Sequence, residues 1–93
     1  MRNVNGVRIQ TLSKEFIDCN ILKVEVGTNG YMGGDTGHGS RTYFRLSDLG
    51  GTDIEVKSYD DDVEISLGGD AELTTFIKAL KFAIKILESQ AGE

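Results

Sequence analysis

Apolar and polar residues alternate in four stretches of this chain, and in a fifth the apolar residues fall at helical spacing. In 21–26, Leu22, Val24 and Val26 point one way and Ile21, Lys23 and Glu25 the other. That period of two marks a strand with one dry face. Residues 41–47 repeat it, with Thr42, Phe44 and Leu46 on one face and Arg41, Tyr43 and Arg45 on the other. Past Leu49-Gly50-Gly51, residues 53–59 alternate with Ile54 and Val56 inward. A turn at Asp60-Asp61-Asp62 leads to 63–67, where Val63, Ile65 and Leu67 face inward. Alternating strands joined by short turns predict an antiparallel meander.

Residues 71–88 contain neither glycine nor proline and predict one helix, with Asp70 as N-cap and Glu72 suiting the positive end of the helix dipole. Leu73, Phe76, Ile77, Leu80, Ala83, Ile84 and Leu87 form a stripe expected to cover the dry sheet face. Ala79, Phe82 and Ile86 widen it into a shoulder. Two accounts of the shoulder stand: a helix seated deep in a curved sheet or under the N-terminal segment, or a homodimer seam through Phe82 and Ile86.

The N-terminal part is less regular. Residues 1–6 end in the turn pair Asn5-Gly6 and read as a lead-in. Residues 7–18 fit a strand over 7–12 through Val7, Ile9 and Thr11, or a short helix through Ile9, Leu12, Phe16 and Ile17. The strand, turning back near Asp18–Asn20, is the expectation taken forward. The fold class is therefore α+β: an antiparallel β-sheet of four to five strands with one C-terminal α-helix packed on one face. Residues 1–93 make a single domain.

Composition narrows the function classes. The net charge is −5, which argues against direct nucleic-acid binding. The acids cluster: 48–72 holds Asp48, Asp53, Glu55, Asp60, Asp61, Asp62, Glu64, Asp70 and Glu72 against the single base Lys57. The lone Cys19 forms no internal disulfide. No apolar run approaches the length of a membrane span and the start lacks a signal-type apolar segment. Cytoplasmic localisation, with no membrane partner, is the expectation.

Candidate chemistry centres on 27–40, GTNGYMGGDTGHGS, where six of fourteen residues are glycine. Such a run demands unusual turns or a close approach to the backbone. It matches neither the P-loop nor the dinucleotide-binding pattern, because it leads into a strand and not a helix. It still suits a loop that closes on an anion. The candidate ligand-binding residues are Tyr31, Gly33, Gly34, Asp35, Gly37, His38, Gly39, Arg41, Tyr43 and Arg45. Arginine forks would hold phosphate and a tyrosine would stack on a base. The opposing account is a hairpin with awkward turns beside a solvated face of cross-strand ion pairs. Asp35 and His38 supply two metal-ligand types, short of a site, and Ser40 lacks a nucleophile elbow. No cofactor, metal or catalytic residue is assigned, which points away from an enzyme.

The stretch GGDTGHGSRTYFRL, within 20–88, resembles short proteins of bacteria, phages and mobile elements to which no activity is attached. The resemblance implies a small accessory protein, a class rich in inhibitors and ligand-sequestering proteins. The leading expectation is a non-enzymatic binding protein, such as a phage-type antagonist of host defence, that sequesters an anionic nucleotide-like ligand at the glycine loop. The alternative is an acidic inhibitor imitating nucleic acid, in the manner of an anti-CRISPR protein, that docks Asp60, Asp61 and Asp62 on a basic partner.

Overall fold

In the computed structural model, which describes residues 1–92, the chain is α+β: three small antiparallel sheets and one C-terminal helix. In chain order these are β1 (Arg2–Val4), β2 (Val7–Ile9), β3 (Thr11–Ile17), β4 (Ile21–Thr28), β5 (Thr42–Gly50), β6 (Ile54–Ser58), β7 (Val63–Leu67) and α1 (Asp70–Ala91). The sheets are β1-β2, β3-β4-β5 and β6-β7. The expected single sheet of four to five strands is thus corrected to a three-stranded centre with one two-stranded hairpin before it and one after it in the chain.

The segment 7–18 is strand and not helix: it carries β2 and β3, separated at Gln10, and bends at Asp18. Residues 1–6, expected as a lead-in, form most of a hairpin that turns at Asn5 and Gly6, both at positive φ. This hairpin lies over the polar face of the central sheet, where Arg2 reaches Glu25 and Tyr43.

The meander breaks after β5. Gly51 takes φ 66°, and Asp48 accepts hydrogen bonds from the Gly50 and Thr52 N–H groups. These local bonds turn the chain off the sheet before β6 can pair with β5. The β6-β7 hairpin then projects as an arm. Its pairs Ile54↔Leu67 and Val56↔Ile65 share one face, on which Val56, Val63 and Ile65 are exposed.

The core lies where α1 crosses β4 and β3. Leu22, Val24, Val26, Ala79 and Ala83 are buried, ringed by Phe16, Leu46, Phe76, Phe82, Ile86 and Leu87. Phe16 meets Phe82 edge to face, with ring centroids 6.1 Å apart. The helix is therefore rotated from the expected stripe. Ala79, Phe82 and Ile86 face the sheet, and Leu73, Ile77, Leu80 and Ile84 face solvent. Small Ala79 and Ala83 let the helix backbone settle close to the valines of β4, which larger side chains at the contact would prevent. Asp70 is the first helical residue and not the cap. Gly69 holds the cap position without a side-chain bond, and Glu72 accepts instead from the Asp53 N–H.

Gln90 ties the helix end to the sheet. Its carbonyl oxygen accepts from the Thr28 N–H at 2.8 Å, and its amide donates to the Gln10 carbonyl at 3.0 Å. No helix is long and apolar enough to cross a membrane among the described residues.

Candidate functional site

The glycine loop closes on itself. At its neck the Asn29 N–H donates to the Arg41 carbonyl, and the Arg41 N–H donates to the Asn29 side chain at 2.7 Å. Its tip is a tight turn in which the Asp35 carboxylate accepts from the Gly37 N–H at 2.9 Å. Gly39 is buried against the Gly34 and Asp35 carbonyls, where a Cβ has no room. Gly30 stands at φ 82° against the Gln90 carbonyl. At these positions the loop's own backbone and the helix end account for glycine.

Arg41 completes the closure. Its guanidinium donates to the carbonyls of Gly39 and Ser40 at 3.1 and 3.2 Å, and of Gly37 at 3.1 Å. The residue is buried, so its fork is turned into the loop and not onto the strand's wet face. His38 stays in solvent, 3.6 Å from the equally exposed Asp35 carboxylate. No third metal-ligand group joins them among the described residues. Tyr31 is also exposed, beside a cavity of about 180 Å³ between the loop base and Leu87 of the helix. That volume is below the roughly 300 Å³ at which small-molecule sites begin.

The remaining candidates separate. Tyr43 lies under the Arg2 guanidinium, 5.1 Å from the ring centroid, so one face of its ring is already covered. Arg45 lies opposite Glu25 in the β4-β5 register. Phe82 and Ile86 pack against the core, and Asp60, Asp61 and Asp62 cap the far end of the arm in solvent. The structure therefore distributes the candidate residues over the loop, the polar sheet face, the core and the arm.

A depression on the polar face gathers different groups. Arg2, Lys23, Glu25, Arg45, Ser47, Asp48 and Leu49 line a volume of about 340 Å³. Both of its carboxylates are spoken for. Glu25 receives a two-pronged Arg2 fork at 2.7 and 2.9 Å and the Thr11 hydroxyl at 2.7 Å. The Arg2 hydrogen bonds first, and then that from Thr11, hold its pKa down at about 2. The same contact raises the Arg2 guanidinium above its ordinary value. Asp48 is lowered by the backbone N–H of Thr52, then of Gly50. Lys23 and Arg45 have no ion-pair partner among the described residues. The depression thus holds two uncommitted cations beside two satisfied carboxylates.

Alternation along β4 and β5 already put Lys23 and Arg45 on one face. What reading the sequence missed was Lys23 as a ligand group, since it was read only as an outward residue of its strand. The signal lay in Arg2, whose claim on Glu25 needed the N-terminal hairpin to be recognised. The chain matches no protein-family model, no curated protein and no solved structure with which it was compared.

Proposed function

We propose that this is a non-enzymatic binding protein that sequesters a small anionic, nucleotide-like ligand on the polar sheet face. Lys23 and Arg45 supply the charge and Ser47 a hydroxyl. The observation that carries the reading is that Arg2 occupies Glu25, which leaves Lys23 and Arg45 without an ion-pair partner among the described residues and the depression with one positive charge in excess of Asp48. Arginine offers a planar fork to a phosphate and lysine a point charge, so the pair suits a phosphoryl group. On this reading the ligand is held and not converted. The glycine loop takes the part of a rigid neighbour tied by Arg41, not of a lid.

A thermal-shift screen of nucleotides, cyclic nucleotides and inorganic phosphate tests this. A ligand at ~100 times its dissociation constant stabilises the fold by about 2.7 kcal/mol, a shift of several degrees for a domain this small. The double variant Lys23→Gln/Arg45→Gln should abolish the shift and keep the melting temperature of the free protein. An unchanged ligand shift in that variant, or no ligand in the screen, sinks the reading.

A second reading attaches to the arm, whose Asp60-Asp61-Asp62 turn is exposed at its end. An acidic tip on a projecting ribbon suits insertion into a basic protein cleft. Its association rate would fall steeply with salt, and Asp60→Asn/Asp61→Asn/Asp62→Asn would remove that dependence. The Lys23/Arg45 variant would leave it untouched.

A further inference from the structure

Two apolar faces lack a partner among the described residues. One is the helix stripe Leu73, Ile77, Leu80 and Ile84, between 38% and 57% exposed. The other is the arm's face of Val56, Val63 and Ile65, between 39% and 67% exposed. A lone two-stranded hairpin is marginal in water and needs its apolar face covered to persist. Among the described residues, β6 and β7 pack chiefly on each other. We propose that the protein is a reciprocal homodimer in which the β6-β7 arm of each copy lies on the exposed α1 stripe of the other.

Three observations select a second copy as the occupant. The first is fit within one sequence. The arm offers a ribbon with one apolar face and the helix offers a stripe, and a two-fold exchange covers both faces of both chains. A different partner seated on either face leaves the other bare. The second is charge. The outer edge of the stripe carries Lys81 and Lys85, which flank Ile84. On the arm, Glu55 and Glu64 alternate to the face away from Val56 and Ile65, so the acids placed to meet a neighbour are Asp60, Asp61 and Asp62 at the tip. Acid at the ribbon's tip therefore complements base beside the stripe. The third is area. The two faces offer roughly 400–700 Å² of apolar surface per chain. A stable dimer buries about 800 Å² per partner, of which about 65% is apolar. The exposed apolar surface is thus what one such interface consumes.

The connections permit the exchange. The arm leaves the body through Gly50-Gly51 and returns through Gly68-Gly69, so its root holds glycine on both strands. At that root the Gly68 N–H donates to the Asp53 carbonyl at 3.0 Å, which closes the base of the hairpin.

The test uses the full chain. Sedimentation equilibrium at micromolar concentration should return twice the chain mass, and a monomer overturns the proposal. Ile84→Asp breaks the stripe and Val56→Asp breaks the arm. Each alone should weaken the dimer at least tenfold, while circular dichroism keeps the wild-type spectrum. Mixing the two variants should restore a dimer, because one copy's intact arm then meets the other's intact stripe. Dimers that survive either substitution, or a mixture no tighter than its components, overturn it.

A cross-link decides the geometry even if a charged variant unfolds. In a Cys19→Ser background, Ile65→Cys and Ile84→Cys chains mixed and oxidised should give the mixed disulfide in excess of either like pair. A disulfide formed instead within one chain carrying both cysteines would mean that the arm covers its own helix, and no mixed product would mean that something else does. Either result overturns the exchange.

Discussion

The Asn20 side-chain amide donates one hydrogen to the Thr75 hydroxyl, 3.0 Å away across the sheet–helix junction, and the other to the Thr52 hydroxyl at 2.9 Å. Both hydroxyls donate onward, Thr52 to the Ile21 carbonyl and Thr75 to the Glu72 carbonyl. All three residues are buried, so one amide joins the turn between β3 and β4, the root of the arm and α1. Its carbonyl oxygen has no partner. The junction thus trades one unmade bond for two made ones. Asn20→Ala should cost about 1–3 kcal/mol in urea unfolding. Coupling between Asn20→Ala and Thr75→Val in a double-mutant cycle should be about 0.5–1 kcal/mol.

Stability should fall in acid through Glu25. Its folded pKa is depressed from 4.5 to about 2. A depressed carboxylate stabilises the fold fully above its unfolded pKa and loses that contribution as pH falls to the folded one. The window is therefore pH 4.5 down to about 2. The carboxylate is 14% exposed, and solvent screening limits the effect to about 1–2 kcal/mol. Melting temperature against pH should drop across that window in the wild type and flatten in Glu25→Gln.

Arg41 should behave as a structural residue. It satisfies three loop carbonyls from a buried position, and its Nε has no partner. Arg41→Ala should cost about 2–3 kcal/mol and expose the amides of 37–41 to hydrogen exchange. Arg41→Lys should not rescue either measurement, because an ammonium cannot span the carbonyls that the fork spans.

Gly27 is required by a close crossing and not by a turn. Where the chain passes from β2 into β3, a Cβ on Gly27 would sit 2.9 Å from the Thr11 Cα and nearer still to the Gln10 carbonyl. Gly27→Ala should displace the backbone at Thr11 and cost about 1–3 kcal/mol in denaturant unfolding. Gly33→Ala, with open space around its Cβ position, should cost less, only the strain of its φ of 74°.

Part of the site was written along the strands. Lys23, Glu25, Tyr43 and Arg45 share the polar face that their alternation predicts. The rest depended on contacts between segments far apart. Glu25 looks like a cross-strand partner for Arg45 until Arg2, 23 positions earlier, takes both its oxygens. Arg41 reads as an outward strand residue until the loop folds its own carbonyls around the guanidinium. In the helix, the apolar arc spans more than half the circumference, so periodicity identifies a helix without saying which side of the arc is inside.

The sequence by itself determined the local elements: alternation set strands at β4, β5, β6 and β7, and helical spacing between glycines set α1. Local spacing reports backbone conformation because side-chain direction follows from φ and ψ over a few residues. Only the tertiary structure decided that β6-β7 leaves the sheet as an arm, that Phe82 is inside while Ile84 is outside, and that Lys23 and Arg45 remain uncommitted. Each of those outcomes is a competition between distant groups for one surface or one carboxylate. The winner is set by how closely the backbones pack, which no single stretch of chain encodes.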